Sequence, residues 1–366
     1  GNGLGFRFAP EAELRDIFSY AYGSFVVELA EGRSAGVPLG ETTQDGRITL
    51  GGESVELDGL LVIYEDRLEP VYACNIKTQA EEIPAFSFAA GARTVSVMKT
   101  ARPRVLIPVF PGTNCEYDSA RAFAAAGAEP ETVVIRNLTP QDISESVGYF
   151  AGRIAQSQMI FIPGGFSGGD EPDGSGKLIT SFFRSGAVKD AVNELLSVRL
   201  GLMAGICNGF QALIKLGLVP YGEIIDTDES CPTLTYNAIG RHQSRIVRTR
   251  IASNKSPWLA MTQPGEIYSV PISHGEGRFT APDELVSRLA ENGQIATQYV
   301  DENGKPTLDI RCNPNGSAFA IEGITSPDGR VLGKMGHSER VGKGLYRNVE
   351  GDYNIMIFTS AVKYFE

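Results

Sequence analysis

No apolar stretch in the chain approaches the roughly 20 residues needed to cross a bilayer, and no low-complexity run interrupts it. A membrane-spanning protein and a long disordered tract are excluded; 42% hydrophobic and 21% charged residues fit a soluble globular protein. Cations are in deficit, 33 Lys and Arg against 44 Asp and Glu, for a net charge of -11. A nucleic-acid groove needs clustered cations to replace counterions along the phosphates, so small molecules or proteins are the expected partners. Cysteine is sparse: Cys74, Cys115, Cys207, Cys231 and Cys312 are an odd number and contain no Cys-x-x-Cys pair. Neither a disulfide framework nor a zinc site is expected, and a reducing cytoplasm fits best. A signal-peptide pattern is also missing. The chain opens Gly1-Asn2-Gly3 rather than on Met, and the expectation is a piece of a longer polypeptide.

At 366 residues there is room for two domains. A linker is expected at 97–103, which lacks periodicity, carries two cations, Lys99 and Arg102, and ends in Pro103 just before a strongly apolar run. Residues 1–96 read as a small α+β segment, with a helix over 11–20 and strands over 24–29 and 47–50, the latter ending at Gly51-Gly52. In residues 104–366 strands over 104–110, 132–135, 159–162 and 202–206 alternate with helices, one Ala-rich and ending at Gly127, another over 209–216. That alternation predicts an α/β core with a parallel sheet. Residues 244–251 alternate polar and apolar, the period of a half-exposed strand in a β extension or sheet edge.

The chemistry is expected at Gly205-Ile206-Cys207-Asn208-Gly209, where a buried strand turns into a helix. This is the form of a nucleophile elbow with cysteine in place of serine. A thiol at a helix N-terminus meets unpaired N–H groups and the positive end of the macrodipole, both of which favour thiolate. The backbone N–H of Asn208, with one from the Gly164-Gly165 turn, is positioned to hold the oxyanion of a tetrahedral intermediate, each such donor contributing roughly 10²–10³ in rate.

Only three histidines are available as general base: His242, His274 and His337. His274 ends an apolar run and is followed two residues on by Glu276; in extended chain, i and i+2 face the same side. A carboxylate beside an imidazole fixes its tautomer and stabilises the imidazolium, so Cys207, His274 and Glu276 form the expected triad. A lone strand histidine is more often structural; the cysteine elbow and the flanking glycines argue otherwise here. His337 is placed either in the same pocket or as a loop cap, and His242 on the surface. The glycine-rich stretch from Gly164 to Asp170 lacks the Gly-Lys-Ser/Thr of a phosphate-binding loop and reads better as an oxyanion turn.

The arrangement Gly205-x-Cys207-x-Gly209-x-Gln211, with Pro163-Gly164-Gly165 upstream and His274-x-Glu276 downstream, resembles the class I glutamine amidotransferases. Adding Pro111-Gly112-Thr113-Asn114-Cys115-Glu116, Phe166-Ser167-x-Gly169-Asp170 and Ser273-His274-Gly275-Glu276-Gly277-Arg278, it resembles in particular the glutaminase domain of the phosphoribosylformylglycinamidine synthase family. Residues 18–27 and 39–42 look like the end of that family's aminoimidazole ribonucleotide synthetase-like half. Two positions depart: Gly336-His337-Ser338-Glu339-Arg340 stands where the family commonly has Pro-His-Pro-Glu-Arg, and His242-Gln243 where it has an aromatic–acid pair.

The resemblance implies a flavodoxin-like parallel sheet and glutamine as substrate, with Gln211 helping to hold it. It implies ammonia passed inside the protein to a synthetase half of the same polypeptide, and ATP and Mg bound by that half, with no cofactor or metal in this part. Two alternatives stand beside it: a cysteine hydrolase of the same fold acting on γ-glutamyl or peptide bonds, and a binding module that has kept the shape without the chemistry.

Overall fold

The computed structural model describes residues 3–73, 76, 82–91, 95–168, 175–342 and 344–366. The chain forms two compact units, Gly1–Asn75 and Ile76–Glu366. The smaller holds strands β1 (Gly5–Phe8), β2 (Gly40–Thr43), β3 (Arg47–Leu50) and β4 (Glu53–Glu56), in sheet order β2-β1-β3-β4, and helices α1 (Leu14–Ile17) and α2 (Leu57–Asp66). The expected α+β character is present, although the first helix is a single turn and residues 24–29 form no strand. Phe25 and Val26 stand 88% and 81% exposed, so apolar composition there finds no sheet face to pack on.

The larger unit continues with β5 (Arg104–Val109), α3 (Glu116–Ala125), β6 (Glu129–Val134), α4 (Pro140–Ile154), β7 (Met159–Ile162), α5 (Lys177–Phe183), α6 (Gly186–Asn193), β8 (Leu202–Ile206), α7 (Asn208–Leu216) and α8 (Leu218–Tyr221). Then come β9 (Thr233–Tyr236), β10 (Gln243–Ile251), β11 (Ile267–His274), β12 (Glu276–Thr280), α9 (Asp283–Glu291), β13 (Ile295–Val300), β14 (Ile321–Thr325), β15 (Val331–Lys334) and α10 (Ile357–Lys363). Nine of these strands make one sheet, ordered β11-β10-β13-β14-β15-β8-β7-β5-β6. The run β6-β5-β7-β8-β15 is parallel throughout. In chain order that half reads 2-1-3-4-5, the flavodoxin-like winding. The other four strands pair antiparallel and form the β extension. β10 is an interior strand of it, bonded on both sides by β11 and β13, rather than an edge.

Burial explains the strand assignments. Every residue of β7 and of β8 is buried, as continuous apolar runs should be in a parallel sheet covered on both faces. Helix α4 starts at a capping box, Thr139 accepting from Asp142 N and Asp142 from Thr139 N, with Pro140 at its first position. The expected linker at 97–103 is not where the units divide. Phe88 N donates to Ala252 O at 2.8 Å, Phe86 N to Gln298 Oε1 at 2.9 Å, and Phe86 packs against the main core, so this segment is already part of the larger unit. Among the described residues no helix is long and apolar enough to cross a membrane. In open α/β sheets ligands bind beyond the carboxyl ends of the strands, which directs attention to the loops after β5, β7, β8 and β15.

Candidate active site

Cys207 lies between β8 and α7 with φ 54° and ψ -108°. A non-glycine residue in such a conformation costs on the order of 1–3 kcal/mol and persists only where packing over-determines it. The flanking glycines supply that packing. A Cβ on Gly205 would come within 2.5 Å of the Gly209 carbonyl carbon, and one on Gly209 within 2.1 Å of Ile162 O, so α7 sits directly on β7 and β8. The elbow is as the residue pattern predicts, with Cys207 Sγ 3.9 Å from Ser273 O.

The neighbouring loops close around it. Asn114 N and Cys115 N, after β5, both donate to Gly164 O at 3.3 Å, and Thr113 bridges Gly165. Gly165, at φ 144°, has no room for a side chain: a Cβ would lie 2.7 Å from both Gly112 O and Thr113 Cα. The N–H groups of Gly165 and Asn208 donate to no backbone acceptor among the described residues, which leaves both for a ligand oxygen. Gly169 and Asp170 of the same motif lie outside the described residues. Asn208 Oδ1 accepts from Ser167 N at 3.2 Å, and its Nδ2 donates to Gln211 Oε1 at 2.9 Å. Gln211 Nε2 donates to Glu276 O. The Gln211 amide, expected to hold substrate, is thus engaged in tying the elbow helix to β12.

Two imidazoles act on the Cys207 thiol, those of His337 and His274. What stands behind each differs. His274 Nε2 lies 2.8 Å from Asn315 Oδ1, whose amide nitrogen donates to Tyr299 Oη at 2.8 Å. Glu276 does not meet it; that carboxylate accepts from Ser175 N at 3.0 Å. The expected His274–Glu276 pairing fails because β11 ends at His274 and the chain bends at Gly275 before β12 starts at Glu276, so the two side chains do not share one face of a continuous strand.

His337 has the carboxylate instead. Its Nδ1 is 2.6 Å from Glu339 Oε1, both side chains buried. They lie in the turn after β15, the fifth parallel strand, where Arg340 N donates to His337 O at 3.1 Å and folds i and i+2 together. Arg340 Nη2 donates to Asn114 Oδ1 at 3.1 Å and latches this turn to the loop after β5. Cys115 Sγ is 3.8 Å from His337 Nδ1. The ligand atoms of Cys115, His337 and Glu339 lie within 4.8 Å of one another, near enough to bridge a metal ion, but the imidazole–carboxylate hydrogen bond accounts for the cluster without one. His242 is exposed, its Nε2 3.0 Å from Ser273 Oγ.

Burial alone would push the Cys207 thiol up; the charge of His337 and the proximity of both imidazoles outweigh it and bring the thiol down to about 6. Burial works against a charged His337, but the Glu339 carboxylate and the Cys207 sulfur hold its pKa well above the usual value. Glu339 is pushed up by burial and more than compensated by His337, so it remains below the ordinary carboxylate value. Cys115 moves the other way, raised by burial. These shifts all favour a thiolate, imidazolium and carboxylate set, with the Cys115 thiol held toward its neutral form beside them. Among the described residues six buried side-chain polar atoms have no protein partner, and those of Glu116, Ser167, His274, His337 and Glu339 all belong to this group of loops, which is where a polar ligand would complete them.

The His337–Glu339 pair was visible only as a second His-x-Glu; nothing local says that the strand before it is the one beside the elbow. Residues 102–365 match the CobB/CobQ-like glutamine amidotransferase domain. The chain is 35% identical over 286 residues to a phosphoribosylformylglycinamidine synthase subunit PurQ of Methanococcus maripaludis, covering 72% of this chain and 97% of that one. It is 37% identical over 251 residues to the PurQ subunit of Treponema denticola, covering 65% and 88%. A chain in the structure of PurLQS from Thermotoga maritima superposes with a TM-score of 0.52 at 25% identity, over 72% of this chain and 100% of that one. With that family match spanning most of the chain and relatives 35% identical over nearly their whole length, the chain belongs to the CobB/CobQ-like glutamine amidotransferase family.

Proposed function

We propose that this chain is the glutaminase of phosphoribosylformylglycinamidine synthase in purine biosynthesis and that it works through Cys207, His337 and Glu339. The observation that carries the catalytic set is the buried 2.6 Å His337–Glu339 hydrogen bond beside an elbow thiol drawn down to about 6. The Cys207 thiolate attacks the side-chain amide carbon of glutamine, and the N–H groups of Asn208 and Gly165 receive the oxyanion. His337 gives its proton to the departing nitrogen, ammonia leaves, and water taken up with His337 as base hydrolyses the glutamyl thioester to glutamate and free thiol. Glu339 keeps the imidazolium oriented and charged through the first step. His274, held by Asn315, acts as a second hydrogen-bonding group on the sulfur.

The smaller unit leaves Phe18, Tyr20, Tyr22, Phe25 and Val26 largely exposed. An apolar surface of that extent without a core supports its being the last part of a larger domain, the synthetase half of the same polypeptide. That half would use ATP and Mg and receive the ammonia to convert formylglycinamide ribonucleotide to formylglycinamidine ribonucleotide. Free thiols at Cys115, Cys207, Cys231 and Cys312 support a cytoplasmic setting.

The test is incubation with glutamine, with and without Cys207→Ala, reading glutamate and ammonia and looking by intact mass for a glutamyl adduct. Turnover or an adduct abolished by the substitution is expected. Neither appearing, even with the synthetase half supplied, would overturn the assignment.

A further inference from the structure

Lys334 and Glu322 form an ion pair at 3.2 Å whose side chains are 1% and 0% exposed, on neighbouring strands β15 and β14. Such a pair is a poor stabiliser, because removing two charges from water offsets most of their attraction and apolar residues of similar volume often serve as well. Its hydrogen bonds are directional, however, and they converge on one turn. Lys334 Nζ donates to Gly336 O at 2.9 Å and to Ser338 Oγ at 3.1 Å; Gly336 N donates to Glu322 Oε1 at 2.6 Å. The second Glu322 oxygen accepts from Thr297 Oγ1, which leaves the carboxylate no freedom to rotate. The main chain of Lys334 is also fixed to the elbow, its carbonyl accepting from Cys207 N at 2.9 Å.

One residue thus holds the nucleophile's backbone on one side and the turn carrying His337 on the other. The backbone of that turn is tied to β11 by His337 N, which donates to Pro271 O at 2.9 Å, and closed on itself by Arg340 N, which donates to His337 O at 3.1 Å; the Lys334–Glu322 pair adds the side-chain bonds on either side of His337. Gly336 and Ser338 flank His337 at positions where proline would lock φ covalently, and neither does so.

We propose that Lys334 and Glu322 are positioning residues: their buried pair fixes the Gly336–Ser338 turn so that His337 stands against Cys207. This rests on the reading of His337 as the catalytic imidazole. It assigns the pair no contact with glutamine, so glutamine affinity is untouched while the chemical step slows.

The experiment compares Lys334→Met, Glu322→Gln, the double variant and His337→Ala in the full chain. Glutamate release gives kcat and KM, iodoacetamide alkylation of Cys207 across pH reads the thiolate directly, and thermal melting reads stability. Both single variants are expected to melt lower, each leaving an orphaned buried charge. The double variant has no orphaned charge, and the amide oxygen introduced by Glu322→Gln can still accept from Gly336 N, so it recovers most of the melting temperature although Gly336 O and Ser338 Oγ lose the Lys334 donor. It keeps a kcat reduced by about tenfold to a hundredfold at unchanged KM, and its alkylation profile moves to higher pH. A double variant that melts like wild type and retains kcat and alkylation within about twofold, while His337→Ala is crippled, would overturn the proposal. Full activity and unshifted alkylation in His337→Ala would instead sink the assignment of the catalytic imidazole, and the positioning role with it.

Discussion

A single methyl group at Gly164 separates the two imidazoles. A Cβ there would lie 2.7 Å from His337 Cε1, 3.0 Å from Cys115 Sγ and 3.4 Å from Cys207 Cβ, with no atom of His274 among its three nearest neighbours. Gly164 is not at positive φ, so alanine brings no backbone strain and the effect is steric. Carbon atoms rest at about 3.5–4.0 Å, so the His337 ring must retreat by roughly 1 Å. Displacement of a catalytic group by that much costs on the order of 10²-fold in rate. Overpacking also destabilises by about 1–3 kcal/mol, which lowers Tm by several degrees without unfolding the protein at assay temperature. Gly164→Ala is therefore expected to melt cooperatively, bind glutamine with nearly unchanged KM and lose about two orders of magnitude in kcat. The assay is steady-state glutamate release at 25 °C beside a thermal melt. A variant with wild-type kcat would refute the reasoning, since an imidazole that yields without consequence is not the one that handles the proton; a base at His274 would be left untouched by this methyl group.

His337→Ala should cost about 10²–10⁴-fold in kcat, the usual contribution of a general acid–base group, and His274→Ala distinctly less; equal losses would mean that the two imidazoles share the role. Because the thiol pKa is lowered, thiolate predominates above about 6 and is lost as pH falls through that value, so Cys207 alkylation should be half-maximal near pH 6. Glu339→Gln removes the carboxylate that raises His337, so the ring loses its charge at lower pH and the alkylation midpoint should move up toward the ordinary cysteine value of about 8.5; an unmoved midpoint would show that Glu339 does not act on the pair. Gly209→Ala would drive a methyl to 2.1 Å from Ile162 O, a backbone atom of a buried strand, and should destabilise by more than about 3 kcal/mol in a denaturant titration; a mild loss would mean α7 does not lie that close to β7.

Much of this protein is determined locally and is legible as sequence. Continuous apolar runs identify β7 and β8 to the residue, because a strand buried on both faces must be apolar throughout. Glycines at 205 and 209 identify the elbow, because only a missing side chain lets a helix start that close to two strands. Alternation of strand and helix determines the parallel half of the sheet. Partners brought together by strand order are a different matter. His274-Gly275-Glu276 and His337-Ser338-Glu339 present the same spacing, and only the fold shows that the first is split between two strands while the second is folded into one turn. The Lys334–Glu322 pair, the latch of Arg340 on Asn114 and the packing of Phe86 and Phe88 on the larger unit all join residues far apart in the chain or on adjacent strands whose register no periodicity reveals. The nucleophile is a property of its own five residues; its acid–base partner is a property of which strand lies beside it, and that was decided only when β15 took its place next to β8.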